Sequence, residues 1–355
     1  MSTYNILFLG ASYGSLLATK MLFGGHKITL VCLPGEAEAI NKDGARVRMP
    51  IKGRKDPVEI HTKTLPGKLV AAGPGEVNPA DFDVVILAMQ EPQYRQADVR
   101  ALLDAVAKAK VPCVAIMNMP PLPYLKRIPG LDYEALKAAF TDPSVWDHFD
   151  PALVTLCSPD PQAIRPAGEP LNVLQVTLPT NFKLARFENE KYNEMMRQME
   201  KEIDSIRYDI GGEKVELPVK LRVYDSLFVP LAKWPMLLAG NYRCITKDGM
   251  RTAQEAVNSD PEAARSVYDF VLDLCEDMGA APSDMVPFEK YAAAAQSLVR
   301  PSSAARALTN GAPYIERTDK LVEIIAKQKG LSNPGVEQIV DLVDTRLAAN
   351  RQKAK

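Results

Sequence analysis

The sequence is poor in the residues that build metal sites and disulfide frameworks. Its 355 residues include five cysteines and three histidines, with no Cys-x-x-Cys pair and no histidine-rich cluster. The cysteines are odd in number, far apart and mostly within apolar segments, which is typical of reduced packing residues in a cytoplasmic protein. We therefore predict no metal site and a cytoplasmic location.

Long apolar runs and an excess of charge of one sign are also missing. No stretch approaches the roughly 20 apolar residues that a membrane span requires. The N-terminus leads directly into a strand-like run, without the basic and apolar regions of a secretion signal. The net charge is −1, with lysine and arginine scattered along the chain. These features predict neither a nucleic-acid partner nor a membrane partner.

The sequence begins with a βαβ pattern, to which the later motifs relate. Residues 5–9 form an apolar run without alternation, as in a strand that is buried on both faces. The run stops at Gly10, a turn of small residues follows, and a helix is expected over residues 16–23 before a second strand over 27–31. In such a pattern, a dinucleotide diphosphate binds the backbone N–H groups at the helix N-terminus.

The glycine spacing of this loop departs from the usual G-x-G-x-x-G fingerprint. Without a gap, serines occupy the second and third glycine positions, at Ser12 and Ser15. With one residue deleted, Gly14 becomes the third glycine, at the helix start where close packing on the strand leaves no room for a side chain. We favour the second alignment; the alternative is an ordinary tight turn that binds nothing.

Two later apolar runs predict further strands of the same sheet, over residues 83–89 and 112–117. Gln90 and Asn118 follow them, at the sheet edge where ligands bind in open parallel sheets. Asn118 is a candidate ligand contact; alternatively, it is a turn residue that bonds its own backbone. The predicted cofactor contacts are Gly10, Ala11, Ser12, Tyr13, Gly14, Ser15, Met89, Gln90 and Asn118.

The choice of cofactor is left open by the sequence. The position after the second strand, within residues 32–36, would bind a ribose hydroxyl if acidic and a 2′-phosphate if arginine. It is neutral here, although Lys42, Arg46 or Arg48 could supply positive charge from further along. A solvated basic edge is the alternative, so NAD and NADP both remain candidates.

Composition and pattern together predict two domains, of class α/β plus all-α. Residues 1–214 are expected to form a Rossmann-type doubly wound sheet with an insertion at about 122–150, and residues 215–355 an all-helical domain. The segments 152–157 and 171–178 look β-like and could extend the sheet in antiparallel fashion. From about residue 215 the apolar periodicity becomes helical.

The order and spacing of several motifs resemble the ketopantoate reductase family, within the 6-phosphogluconate-dehydrogenase-like group. The first is the N-terminal βαβ unit, with Gly10 and Gly14-Ser15-Leu16-Leu17-Ala18, then Gly25-His26-Lys27-Ile28-Thr29-Leu30-Val31. The later ones are Asn118 after its strand, the helix with Lys233 and Asn241, Pro301-Ser302-Ser303, and Asn310-Gly311. The similarity covers most of the chain but is thin between 120 and 215.

The resemblance implies an NAD(P)-dependent oxidoreductase for a small oxo or hydroxy acid, with NADP slightly preferred. It also implies a small carboxylate substrate and a homodimer formed through the helical domain. By position, Lys233 becomes the general acid, and Asn118, Asn241 and Ser302 become substrate contacts. The family's supporting glutamate falls on Ile315, so Glu316 is expected to replace it.

Departures from the family pattern argue against ketopantoate itself as the substrate. Gln90 stands where the family has a lysine, and Ile315 where it has a glutamate. Pro235 favours a first helical turn, so Lys233 could also precede its helix, and a gapped alignment would put Met236 at the lysine position instead. Two other functions remain open: a reductive condensation like that of opine dehydrogenases, and an inactive dinucleotide-binding sensor or partner module. The absence of histidine after residue 215 counts against the first.

Overall fold

The computed structural model describes residues 2–158 and 162–354. Its strands, numbered in chain order, are β1 Asn5–Leu9, β2 Lys27–Val31, β3 Arg46–Met49, β4 Val58–His61, β5 Lys68–Ala72, β6 Val84–Leu87, β7 Cys113–Ile116, β8 Val154–Ser158, β9 Gln162–Ile164, β10 Val173–Leu178, β11 Phe182–Ala185, β12 Arg207–Ile210, β13 Glu213–Glu216 and β14 Leu221–Tyr224. Its α-helices are α1 Ala11–Leu22, α2 Pro34–Asp43, α3 Ala97–Ala109, α4 Leu122–Leu125, α5 Tyr133–Leu136, α6 Glu190–Ser205, α7 Lys233–Met236, α8 Ala253–Asn258, α9 Pro261–Asp277, α10 Phe288–Ala295, α11 Ser303–Thr309, α12 Thr318–Gln328 and α13 Pro334–Lys353.

The described residues cluster into two compact units that alternate along the chain. The first unit contains residues 1–89, 93–117 and 145–225, and the second contains residues 90–92, 118–144 and 226–355. All the strands above lie in the first unit. The domain limits that we placed at residues 214 and 215 stay a prediction.

The first unit is built on a sheet with the order β14-β11-β8-β7-β6-β1-β2-β5 in the described part of the chain. From β5 to β8 all neighbours are parallel. If β1, β2, β5, β6, β7 and β8 are counted as strands one to six, their order is 3-2-1-4-5-6, that of a doubly wound dinucleotide fold. β1, β6 and β7 are almost entirely buried, as is typical of strands at the centre of a parallel sheet. The predicted fold class is confirmed.

The edges of the sheet differ from the sequence-based expectation. β8 is parallel to β7, and β10 lies in a separate sheet of order β4-β3-β10-β9, so neither segment extends the main sheet in antiparallel fashion. β11 makes that antiparallel contact, against β8. The prediction of helix from about residue 215 is also wrong, because β14 pairs in parallel with β11.

Helices make up the second unit, and the stretch after α7 departs from α geometry. A π-helical segment, Leu237–Asn241, follows α7 directly. The Tyr291 hydroxyl donates a hydrogen bond to the Met236 carbonyl oxygen at 3.1 Å and fills the space where a Cβ on Gly240 would lie. A side chain that enters the helical hydrogen-bond ladder in this way widens the turn. None of the described helices is both long and apolar enough to cross a membrane.

A buried lysine joins α1 to the turn before β14 in the first unit. Lys20 is 1% exposed, and its Nζ donates to the carbonyl oxygens of Leu217 at 3.3 Å and Pro218 at 2.8 Å. The next residue, Val219, has a left-handed φ of 65°, which is strained for a β-branched side chain. Burial lowers the pKa of the Lys20 amine to about 7.

Lys20 therefore predicts a pH-dependent stability. Between pH 7 and about 10.5 the unfolded chain keeps a proton that the folded chain has lost, so the free energy of unfolding gains up to about 1.4 kcal/mol per pH unit from this group. We expect Lys20→Met to remove this rise and to lose stability relative to the natural protein as the pH increases. Urea unfolding curves at pH 6.5, 8 and 9.5 measure the difference; parallel trends for the two proteins would contradict the prediction.

Candidate functional site

The turn after β1 brings a glycine against the end of β6. Gly10 has a φ of 104°, and a Cβ there would lie 2.6 Å from the Ala88 carbonyl oxygen and 2.7 Å from Met89 Cγ. Its own N–H donates to the Val31 carbonyl oxygen at 2.9 Å. Only glycine satisfies both the positive φ and the close approach. Met89, a predicted cofactor contact, thus lies beside the loop.

Helix α1, which follows the turn at Gly10, starts earlier than the sequence predicted, at Ala11 rather than Leu16. No side chain caps this helix and no acidic residue lies in its first turn, so its N-terminus fits an anionic diphosphate. A Cβ on Gly14 would lie 3.2 Å from the Phe8 ring, which agrees with close packing of this residue on β1. Ser15 is buried and its hydroxyl donates to the Ala11 carbonyl oxygen, so this side chain points into the helix.

Basic charge beside the loop comes from a residue that the sequence did not indicate. Arg165 Nε donates to Ser12 Oγ at 3.2 Å, and its guanidinium pairs with Glu36 at 2.5 Å. Arg46 and Arg48, the arginines that the sequence offered, pair with a different carboxylate, Glu59. Arg165 was not predictable because it follows β9, far from the loop in sequence.

In the second unit, a cavity brings several of the predicted site residues together. Counting the space open to solvent, its volume is about 360 Å³. The residues that line it are Gln90, Asn118, Leu237, Asn241, Tyr242, Ser303, Ala304, Ile315, Glu316 and Thr318. Among them, Asn118, Asn241, Gln90 and Glu316 were selected from the sequence.

The Glu316 carboxyl group is at the centre of the polar contacts around this cavity. It is 8% exposed; Oε2 accepts from Asn118 Nδ2 at 3.3 Å, and Oε1 accepts from the Glu91 backbone N–H at 3.4 Å. Burial raises the pKa of Glu316 to about 7, although these hydrogen bonds and the charge of Lys233 favour the ionised form. The carboxyl group can therefore exchange a proton near neutral pH.

A second buried carboxyl group holds the segment that donates to Glu316. Glu91 is 3% exposed, and it accepts from the Thr141 N–H at 2.9 Å and from the Thr141 hydroxyl at 2.8 Å. Burial raises the pKa of Glu91, and the two bonds from Thr141 oppose that rise. These bonds tie residues 90–92 to the segment 118–144 within the second unit.

Two further residues selected from the sequence, Lys233 and Ser302, are not among the residues that line the cavity. Lys233 is the first residue of α7 and is half-buried, and its charge acts on Glu316. The Ser302 hydroxyl caps α11 by accepting from the Ala305 N–H at 3.1 Å, and it donates to the Asn241 carbonyl oxygen at 2.6 Å. Ser303, not Ser302, lines the cavity.

Sequence analysis missed Tyr242 and Thr318 as lining residues. The Tyr242 hydroxyl donates to the Glu316 carbonyl oxygen at 2.5 Å and accepts from the Thr318 N–H at 2.9 Å. This tyrosine adjoins Asn241, which was the one available signal, and no motif marks Thr318. In the described part of the chain, no group of histidine, cysteine, aspartate and glutamate side chains could hold a metal ion.

Comparison with solved structures shows which fold this is. D-mandelate dehydrogenase, in a ternary complex with NADH and anilino(oxo)acetate, matches with a TM-score of 0.63 and 12% identity over 98% of this chain and 99% of that one. The 2-dehydropantoate 2-reductase of Methylococcus capsulatus matches with a TM-score of 0.60 and 16% identity over 97% of each chain. The chain has the fold of the ketopantoate reductases. The resemblance seen in the sequence is thereby confirmed for the fold.

Sequence comparison alone finds much less. No protein-family profile matches the chain, and no curated protein sequence does either.

A dimeric ketopantoate reductase from Staphylococcus aureus also shares the fold, with a TM-score of 0.61 and 10% identity over 98% of this chain and 99% of that one. At such identities the ketopantoate reductase fold is shared while most side chains differ.

The raised pKa of Glu316 predicts a second pH effect, opposite in direction to that of Lys20. Between pH 4.5 and about 7 the folded protein holds a proton that the unfolded chain has lost, so this group makes stability fall as the pH rises. We expect Glu316→Gln to gain stability relative to the natural protein across this window, by up to about 1.4 kcal/mol per pH unit. Urea midpoints at pH 5, 6 and 7 measure the effect, and a constant difference between the proteins would contradict it.

Proposed function

We propose that this protein is an NAD(P)-dependent oxidoreductase that acts on a small oxo or hydroxy acid. The observation that carries the proposal is the cavity of the second unit, where Asn118, Asn241 and the titratable Glu316 meet. The uncapped N-terminus of α1 behind Gly10 supports a dinucleotide in the first unit. The fold shared with D-mandelate dehydrogenase and ketopantoate reductases supports the reaction class.

The residues of the chain would bind the substrate and handle one proton. A bound nicotinamide dinucleotide supplies the hydride chemistry. Reduction of a carbonyl develops alkoxide charge, and Lys233 would donate the proton that neutralises it. Glu316, whose pKa is about 7, would place a negative charge near Lys233 when it is ionised and none when it is protonated. Asn118 and Asn241 would orient the substrate.

The substrate and the cofactor are proposed only at the level of class. Gln90 and Ile315 line the cavity at positions where the family has a lysine and a glutamate, which favours an acid other than ketopantoate. NADP stays slightly preferred by resemblance, and the NADH complex of D-mandelate dehydrogenase keeps NAD as a candidate. A homodimer is supported by the dimeric relative from Staphylococcus aureus.

Dinucleotide binding is tested first, by thermal shift with NADH and with NADPH. A ligand at about 100 times its Kd adds about 2.7 kcal/mol of stability, so a rise of several degrees in Tm is expected with at least one of them. Ser12→Asp places a negative charge in the exposed first turn of α1, where it suits the helix but repels a diphosphate. We expect this variant to fold and to lose the shift, and Ser12→Asn to keep it. No shift for the natural protein would refute the proposal.

The role of Lys233 is tested by turnover of a panel of 2-oxo acids and β-hydroxy acids. We expect Lys233→Ala to lower kcat at least about a hundredfold, because the alkoxide loses its proton donor. Lys329, whose Nζ bonds Asp277 in the same unit, provides the matched control, and Lys329→Ala should leave kcat unchanged. Near-normal turnover of the Lys233 variant would reject the assignment. Dinucleotide binding without turnover of any acid would favour the sensor module instead.

A further inference from the structure

An ion pair of the first unit lies beside the loop that follows β1. Arg165, the residue after β9, donates from Nε to Ser12 Oγ at 3.2 Å, and its Nη2 pairs with Glu36 Oε1 at 2.5 Å. Ser12 belongs to the first turn of α1, and Glu36 belongs to the first turn of α2. The guanidinium group therefore joins the N-terminus of α1, where a diphosphate would bind, to the turn after β2.

The fold brings the Glu36 carboxylate to a position that is neutral in the sequence. Glu36 is the third residue of α2, and its Oε2 accepts from the Leu33 N–H at 3.2 Å, so the side chain turns back toward the end of β2. Burial raises the pKa of the Cys32 thiol to about 12, and the charges of Glu36 and Arg165 act on that thiol in opposite directions. Because Cys32 directly follows β2, both charged groups lie near the carboxyl end of this strand.

The carboxyl end of β2 is where a dinucleotide fold recognises the adenosine ribose. An acidic residue about 20 positions beyond the glycine loop accepts from the 2′-hydroxyl of NAD, whereas an arginine accommodates the 2′-phosphate of NADP. Glu36 follows Gly14 by 22 positions. The chain thus presents an acidic and a basic candidate at one place, and the bonds left open on the pair indicate which cofactor fits.

The Glu36–Arg165 pair has one donor group and one acceptor group still available. Among the described residues, Arg165 Nη1 is a buried atom without a hydrogen-bond partner, and it can only donate. The Glu36 carboxylate can only accept, and it has lone pairs left beyond its bonds to Leu33 and Arg165. A hydroxyl group satisfies both, because it accepts from the guanidinium and donates to the carboxylate. An ionised phosphate group only accepts, and it would place negative charge against Glu36.

We propose that Glu36 and Arg165 together select NAD over NADP by binding the 2′-hydroxyl of the adenosine ribose. This inference rests on the proposed function and deepens it, against the slight preference for NADP that the resemblance gives. Arg165 does not attract a 2′-phosphate, because Glu36 neutralises its charge. Both residues contact the adenosine end of the cofactor, so they are specificity-determining residues rather than catalytic ones.

The first measurement is the affinity of the natural protein for ligands with and without the 2′-phosphate. NADH and NADPH are titrated by fluorescence, and ADP-ribose and 2′-phospho-ADP-ribose by calorimetry. The second pair lacks the nicotinamide, so it reports on this site without the cavity of the second unit. We expect Kd to be at least about tenfold lower for the member of each pair without the 2′-phosphate. Equal Kd values, or tighter binding of the phosphorylated member, overturn the inference.

Two variants test the two residues separately. Glu36→Gln can keep the bond to the Leu33 N–H but removes the charge, so Arg165 becomes free to bind a phosphate. We expect the ratio of Kd for NADPH to Kd for NADH to fall at least about tenfold in this variant. Arg165→Met removes the donor to the hydroxyl group and should raise Kd for NADH about tenfold. An unchanged ratio in the first variant, or an unchanged Kd for NADH in the second, overturns the inference.

Glu59→Gln is the matched control, because Glu59 also pairs with arginines of the first unit, Arg46 and Arg48. It should leave the Kd values for NADH and NADPH unchanged. A fall in their ratio as large as that of Glu36→Gln would show that the effect is not local to Glu36, and it would overturn the inference.

The failures of this inference and of the proposed function are distinguishable. Tighter binding of NADPH than of NADH overturns the role of Glu36 and Arg165, and it leaves the oxidoreductase proposal standing. Absence of binding of all four ligands to the natural protein removes the proposed function, and this inference with it.

Discussion

The close approach of the Ala88 carbonyl oxygen to Gly10 constrains the carboxyl end of the main sheet in the first unit. With 2.6 Å between that oxygen and the position of a Cβ, any side chain at residue 10 would push β1 away from β6. The same contact sets where the chain leaves the sheet, and therefore where α1 begins at Ala11. This turn therefore determines that the uncapped N–H groups at the start of α1 lie at the carboxyl end of β1.

The second unit contains buried carboxyl groups at its cavity, whereas the first unit presents backbone N–H groups at the start of α1. Glu316 and Glu91 are both nearly inaccessible, and each is held by donors that only partly offset the cost of burial. A carboxyl group that titrates near pH 7 can take part in proton transfer, which an exposed glutamate at its ordinary pKa does poorly. A third buried carboxyl group, that of Asp319 in the first turn of α12, pairs with Arg317 at 3.0 Å.

Much of the first unit could be predicted from the sequence because buried parallel strands are continuous apolar runs. β1, β2, β6 and β7 and the glycine turn have such local signatures. β14 was missed because Leu-Arg-Val-Tyr is short and alternates beside a helical pattern. In the candidate site, Asn118 and Glu316 were selected individually, but their contact depends on tertiary packing. Arg165 and Thr318 could not be found, since neither belongs to a local motif.

The alternation of the two units along the chain has a consequence for how the protein is made and cut. Residues 118–144 leave the ribosome well before residues 226–355, against which they pack. Their apolar side chains therefore cannot be buried in the second unit until most of the remaining chain has been synthesised. A protease that cleaves once between residues 145 and 225 would leave each fragment with part of both units. Expressing either unit alone therefore requires joining distant segments by new linkers rather than truncating the gene.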